Sequence, residues 1–193
     1  MGLSSPNRMV WQYFRCLRRL VERLSHIQDE SERKQEISLC IILAVTVVEA
    51  FLNIYFRVIV SEQAYSQHKQ RVLNDLSFNP WPKSLEEKLR NWPKDILGQT
   101  MDLGSGTPKA FLELKKRRNR LMHFASSHES VCVPGITING LADSSVFDDL
   151  ETSDAISALE IAEGMLEEMF RLRGVPPKQI PGDLHLWTGK VPL

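Results

Sequence analysis

Residues 39–48 read LCIILAVTVV, a run in which Thr46 is the single polar side chain. A helix needs about 20 apolar residues to span a membrane, so a run of this length predicts a buried core helix instead. Neither Gly nor Pro occurs between Asn7 and Asn79, and a long stretch without these residues favours helix. The sequence therefore predicts an all-α fold, a helical bundle with two long N-terminal helices.

The first predicted helix begins near Asn7 and ends before the polar cluster at residues 28–32. The second begins near that cluster and is expected to continue, with or without a break, to about Leu76, ahead of the two prolines in residues 79–82. The apolar positions of the first helix recur at helical spacing and form one stripe. That stripe consists of Val10, Phe14, Leu17, Val21 and Leu24.

Capping residues mark the beginnings of two later helices. Ser84 and Glu87 have the spacing of a capping box, in which each residue satisfies a free backbone amide of the other, and they predict a short helix. Thr107 at the N-cap and Pro108 at the first helical position predict a longer helix over residues 108–124.

The C-terminal part of the chain predicts one more helix, over residues 152–172, which Gly174 and the prolines after it bring to an end. Between the last two predicted helices, β-branched residues flank Pro134-Gly135 and predict a small hairpin: Val131, Val133, Ile136 and Ile138. We expect a single helical domain over residues 1–174, followed by an extended C-terminal tail over residues 175–193.

Composition narrows the class of protein. The chain has 193 residues, which fits one domain. Its 24 basic residues balance its 24 acidic residues, so no overall charge draws it to nucleic acid or membrane. Arginines interrupt the first predicted helix, so a signal peptide is not expected, and the three cysteines form no Cys-x-x-Cys pair of a zinc or redox site. These features predict a soluble, cytoplasmic protein that does not enter the membrane.

Charge is nevertheless segregated along the chain. Residues 1–27 carry five Arg and one Glu, and residues 109–120 carry six basic groups and one Glu. Residues 143–168 carry nine carboxylates and no Lys or Arg. Such runs are either solvated helix faces or surfaces that attract a charged partner, and both interpretations stay open here.

A second polar feature lies in the otherwise apolar second helix. Glu49, Asn53 and Arg57 are four residues apart and therefore share one face. Glu49 and Asn53 are either buried polar groups that are satisfied inside the bundle or supports that orient the candidate site residues Arg118 and His123.

The strongest chemical signal is Arg118-Asn119-Arg120-Leu121-Met122-His123, near the end of a predicted helix. With Arg118 at zero, Asn119 lies near about 100° and His123 near about 140° around the helix axis, so the three share one arc. A guanidinium binds phosphate oxygens and an imidazole exchanges protons near neutral pH, a combination that suits phosphodiester chemistry. The alternative is structural, because a His at a helix C-terminus also interacts with the last carbonyls.

This motif resembles that of the HEPN superfamily (higher eukaryotes and prokaryotes nucleotide-binding), in which Arg, a polar residue that is often Asn, and three further residues precede His. The similarity extends over roughly residues 8–172, since the family is an all-α bundle with a long aliphatic second helix and a closing amphipathic helix. The segment Val47–Asn53 is similar to second helices of such proteins.

The resemblance implies a metal-independent endoribonuclease that needs no cofactor and acts as a homodimer. His123 would act as general base or acid, Arg118 would hold the phosphate, and Asn119 would orient the His or bind phosphate. The 2′-hydroxyl of RNA would be the nucleophile, giving a 2′,3′-cyclic phosphate and a 5′-hydroxyl. The basic neighbours on the same helix are the candidate RNA-binding residues: Lys115, Lys116 and Arg120.

The resemblance also bears on partners. Many relatives act as toxins or in antiviral defence and stress, so an antitoxin or another regulatory protein is an expected partner. Toxins that are modified by a neighbouring nucleotidyltransferase carry Tyr two residues after the His, whereas this chain has Ala125, so that mode of control is not expected. The alternative function is a catalytically silent HEPN-like module that binds a protein or a nucleotide.

Overall fold

The computed structural model describes residues 5–61, 84–122, 130–139 and 145–191, and these form a helical bundle with one small hairpin. The predicted all-α fold is confirmed. The helices are α1 (Arg8–Arg23), α2 (Glu30–Ser61), α3 (Leu85–Trp92), α4 (Gly106–Met122), α5 (Ser145–Asp148), α6 (Thr152–Leu172) and α7 (Ile180–Thr188). A 3₁₀ turn, Leu24–His26, follows α1, and a π-helical turn, Pro93–Leu97, follows α3.

The predicted hairpin is also present. Strand β1 (Ser130–Val133) pairs antiparallel with β2 (Ile136–Asn139), and Val133 is opposite Ile136. Gly135 has a φ of 88°, a conformation that suits glycine in a tight hairpin turn. The hairpin lies between α4 and α5 in the chain.

Helix α2 is the central element of the bundle. It packs against α1, α4 and α6, and its apolar side chains are buried along nearly its whole length, from Ile37 to Val60. By length and composition α2 could also cross a membrane, but half of its most apolar stretch is buried inside the bundle. Core helices of soluble proteins commonly have this composition.

An aromatic cluster joins α2 to the C-terminal helices. Phe51 stacks on Tyr55 with ring centroids 4.8 Å apart. Phe170 of α6 and Trp187 of α7 meet Phe51 edge-on, at 5.9 and 5.1 Å. Edge-to-face pairs of this kind add to the free energy that burial provides, so the cluster fixes α6 and α7 on α2.

The predicted capping box at the start of α3 is confirmed. The backbone amide of Glu87 donates to the Ser84 hydroxyl at 3.2 Å, and the backbone amide of Ser84 donates to the Glu87 carboxylate at 2.7 Å. Helix α4 begins at Gly106, two residues before the predicted start. Thr107 is thus inside the helix, where its side chain packs so closely on Gly164 of α6 that a Cβ there would lie 2.9 Å from its methyl group.

The prediction of an extended tail over residues 175–193 is wrong, because residues 180–188 form α7. Pro181 and Gly182 look like helix breakers in the sequence. The helix begins there, however, and a proline in the first turn removes an amide that has no helical partner in any case. The apolar residues that follow at helical spacing are buried against α1 and α6: Ile180, Leu184 and Trp187.

Because α7 belongs to the core, shortening Trp187 should destabilise the whole protein. We expect Trp187→Ala to lower the free energy of unfolding by about 3–5 kcal/mol, the usual cost of removing a large buried aromatic side chain. The matched control is Leu186→Ala, since Leu186 is 55% exposed and should cost well under about 1 kcal/mol. Urea unfolding followed by circular dichroism measures both, and equal stability of the two variants would contradict the position of α7.

Candidate functional site: the motif helix α4

Arg118 lies in the middle of the buried stripe of α4. Phe111, Leu114 and Leu121 are the buried apolar residues on either side of it, and all lie within about 60° of Arg118 around the helix axis. This stripe faces α2 and α6, the two helices on which α4 packs. Arg118 therefore occupies a position at which the helix pattern calls for an apolar residue.

The three basic residues before Arg118 are held by carboxylates. Lys115 lies 3.6 Å from Glu86 of α3, and Lys116 lies 2.8 Å from Glu113 within α4. Arg117 makes a two-pronged ion pair with Asp154 of α6. The pairs of Lys115 and Arg117 attach α4 to α3 and α6. Paired cations of this kind agree with the structural interpretation of the basic run.

Arg118 differs from these three residues. It is half-buried, its Nε atom is buried without a hydrogen-bond partner, and it forms no ion pair within the described part of the chain. A buried donor that is left unsatisfied costs about 1–3 kcal/mol. The Nε–H of Arg118 is thus a costly donor for which the described structure provides no acceptor.

The other motif residues are distributed around α4. Asn119 is half-buried, and Arg120 is exposed on the side opposite Arg118. A shallow groove of about 430 Å³ on that opposite side is lined by Arg120 and Lys116 together with Glu113 and Asp149. Lys116 and Arg120, two of the three candidate RNA-binding residues, therefore do not form one surface with Arg118. His123 lies outside the described residues, so the predicted arc of Arg118, Asn119 and His123 stays a prediction.

Glu49 and Asn53 have a partner that sequence reasoning missed. The ammonium group of Lys88 in α3 lies 3.2 Å from the Glu49 carboxylate and 3.1 Å from the Asn53 side-chain oxygen. Lys88 is only 6% exposed, and its ammonium group also lies 5.6 Å from the centre of the Trp92 ring. The polar stripe of α2 is therefore satisfied within the bundle, at least in part, and its support of Arg118 or His123 stays a prediction.

A signal for Lys88 was present in the sequence. Leu85, Leu89 and Trp92 are the apolar face of α3, and Lys88 shares that face at helical spacing. A cation on an apolar face needs a buried anion or acceptor, and the stripe of α2 offers both. Helix α3 thus connects the two candidate regions, because its Glu86 holds Lys115 and its Lys88 holds Glu49.

In the described part of the chain, Cys16 and Cys40 show no arrangement that favours a reactive thiol or a metal site. Burial raises the pKa of the Cys40 thiol to about 12, and the Glu36 carboxylate adds to this, so Cys40 stays protonated at neutral pH. Cys16 is exposed, and both are free thiols. Among the residues that the structure describes, no cluster of three His, Cys, Asp or Glu is placed to bind a metal ion.

No protein-family model, curated protein or solved structure matches the chain.

The contrast between Arg118 and Arg117 gives a test by stability. Arg118→Met should be as stable as the wild type or more stable by up to about 1 kcal/mol. The apolar side chain continues the buried stripe of α4 and removes the unpaired donor. Arg117→Met should destabilise it by roughly 1 kcal/mol, because the half-exposed pair with Asp154 is lost. Urea unfolding measures both, and a larger loss for Arg118→Met than for Arg117→Met would mean that Arg118 is a structural residue.

Proposed function

We propose that the protein is a metal-independent endoribonuclease of the HEPN type, with Arg118 and His123 as its catalytic residues. The observation that carries the proposal is the unpaired, half-buried guanidinium of Arg118 beside three basic residues that are all paired. A phosphate supplies the contacts that this group lacks. The spacing of His123 from Arg118 supports the same function, as the resemblance implies.

In the proposed reaction the 2′-hydroxyl of the substrate attacks the adjacent phosphate. His123 accepts or donates the proton, and the planar guanidinium of Arg118 neutralises the charge that develops on the phosphate oxygens. Asn119 orients the imidazole or donates to a phosphate oxygen. The products are a 2′,3′-cyclic phosphate and a 5′-hydroxyl, and the reaction requires neither metal nor cofactor.

A single Arg-His pair provides few groups for proton transfer at both the attacking and the leaving oxygen. We therefore propose a homodimer in which two motif helices meet near the two-fold axis. RNA between the two basic surfaces, or the acidic segment of residues 143–168, would offset their repulsion. A cytoplasmic enzyme of this kind suits a toxin, defence or stress effector under the control of a regulatory protein.

One observation favours the alternative, a catalytically silent helical module. Lys115 and Arg117 are used as structural ion pairs with α3 and α6, and Lys116 pairs with Glu113. Of the candidate RNA contacts, Arg120 alone is then without an ion pair in the described part of the chain. In that case Arg118 binds a nucleotide or an acidic group of a protein without any cleavage.

The catalytic assignment predicts that His123→Ala abolishes cleavage. General acid or base catalysis contributes roughly 10² to 10⁴ in rate. Arg118→Lys should also be inactive, because an ammonium keeps the charge but loses the paired donors that match phosphate. Lys116→Ala is the matched control and should retain cleavage with weaker salt dependence. The measurement is digestion of total RNA in the presence of a chelator.

The digestion products should carry cyclic phosphate ends, and all variants should have the circular dichroism spectrum of the wild type. Undiminished cleavage by His123→Ala would remove the catalytic role of this residue. Loss of folding in that variant would return His123 to a structural role at the end of the motif helix.

The composite site predicts a dimer at working concentration. Light scattering at micromolar protein should give about twice the mass of one chain, and dilution should reduce cleavage in parallel with the loss of dimer. Full activity of a protein that scatters only as a monomer would exclude a site shared between two copies.

A further inference from the structure

A second basic surface lies between α1 and α7, away from the motif helix. A groove of about 460 Å³ runs between these helices and is lined by Trp11, Arg15, Arg19, Glu22, Thr188 and Gly189, among others. A neighbouring groove of about 410 Å³ shares Trp11 and continues to Arg8 and His185. The two grooves meet at Trp11, and we name them together the α1–α7 groove.

Three arginines of this groove lie on a single stripe of α1. Arg8, Arg15 and Arg19 are seven and four residues apart, so they lie within about 40° of one another and extend over about 16 Å. All three are exposed, and none forms an ion pair in the described part of the chain. Glu22 is the only carboxylate among the residues described as lining the groove.

A fourth arginine of α1, Arg18, has the carboxylate partner that the other three lack within the described ranges. Arg18 pairs with the buried carboxylate of Glu163 at 2.6 Å, and Lys190 binds the other oxygen of that carboxylate at 2.7 Å. Both oxygens of the Glu163 carboxylate are therefore paired, and this carboxylate does not neutralise the charge of Arg15 or Arg19. Arg18 is thus neutralised, and Arg23 at the end of α1 pairs with Glu36. The three groove arginines have no carboxylate partner among the described residues.

The backbone of α1 adds to this positive field. The first turn contains no acidic residue, and the N-cap Asn7 makes no side-chain hydrogen bond to the helix amides. An arginine in the first turn, as here, is unfavourable because the N-terminus of a helix carries partial positive charge. A basic first turn without an acidic residue lowers the stability of the free protein, and binding of a polyanion there would offset that loss.

Trp11 provides a flat surface inside the groove. The guanidinium of Arg15 lies 5.4 Å from the centre of its ring. Gly189 approaches the indole so closely that a Cβ there would lie 2.5 Å from the indole nitrogen. Glycine is required at this point also because its φ is 73°. Trp11 is thus half-exposed and in contact with the end of α7.

We infer that the α1–α7 groove binds the backbone of single-stranded RNA, with Arg8, Arg15 and Arg19 on successive phosphates and a base stacked beside Trp11. A row of unpaired cations beside a fixed aromatic ring is the arrangement that single-stranded nucleic acid uses. A purely acidic peptide would use the arginines but not the ring. The choice of RNA as the nucleic acid rests on the proposed function.

The groove is separate from Arg118. Helices α1 and α4 both pack on α2 and α6, and they share no extensive contact with each other in the described part of the chain. The α1–α7 groove therefore retains the substrate at a distance from the reacting phosphate. It provides affinity for RNA without taking part in the proton transfers.

Binding of a 2′-O-methyl RNA 12-mer, which cannot be cleaved by this route, tests the inference by fluorescence anisotropy. Arg15→Gln/Arg19→Gln should bind on the order of tenfold more weakly at 0.1 M salt and lower the slope of log K against log salt by about 1.4, the value for two phosphate contacts on a single strand. The control Lys94→Gln/Lys178→Gln removes the same charge from exposed positions outside the groove and should change little. Trp11→Leu should weaken binding without altering the slope.

Three outcomes would overturn the inference: no binding of the 12-mer by the wild type, equal losses in the Arg15/Arg19 and Lys94/Lys178 variants, or tighter binding of poly-glutamate than of RNA, which would indicate an acidic protein partner. Cleavage assays on the same samples separate this inference from the proposed function. If the wild type binds the 12-mer through the groove but does not cleave RNA, the inference about the groove is supported and the endoribonuclease proposal is wrong.

Discussion

The structure depends on the burial of α2, a helix that is apolar around nearly all of its circumference. Such a helix is stable in water only when other helices surround it, and α1, α4 and α6 do so here. Each neighbour contributes one apolar face and turns its charged residues outward or toward another helix. The position of the motif helix α4 therefore follows from the need to cover the apolar surface of α2. The aromatic contacts of Phe51 with Phe170 and Trp187 show that α6 and α7 also cover this surface.

The charged groups near this core divide into satisfied and unsatisfied ones. Lys88 binds Glu49 and Asn53, and Glu163 binds Arg18 and Lys190. These clusters carry compensating charge and secure one helix to another. Arg118 on α4 and the groove arginines of α1, which are Arg8, Arg15 and Arg19, lack such partners among the described residues. Cations that a fold places at a cost and does not neutralise are candidates for contact with an external anion, and we propose phosphate for both surfaces.

Prediction from sequence succeeded where local chemistry decides the structure. The hairpin at Pro134-Gly135, the capping box of Ser84 and Glu87 and the closing helix over residues 152–172 follow from turn and cap residues alone. Prediction failed for α7, because Pro181 and Gly182 resemble helix breakers until their place in the first turn is known. It also missed the partner of Glu49, since Lys88 is distant in sequence. An arc on a helical wheel grouped Arg118 with Asn119, but it left out Phe111, Leu114 and Leu121, whose spacing already puts Arg118 on the apolar stripe of α4.

The central claim is that the free guanidinium of Arg118 is a phosphate ligand. Nitrogen-15 NMR of arginine side chains measures this directly, with the Nε–H signal of Arg118 assigned through its loss in Arg118→Met. On addition of an uncleavable 2′-O-methyl RNA, the account predicts that this signal shifts, because the guanidinium gains a phosphate contact at its terminal nitrogens, while the signal of Arg117, already paired with Asp154, stays in place. An Arg118 signal that does not change at saturating RNA would contradict the claim.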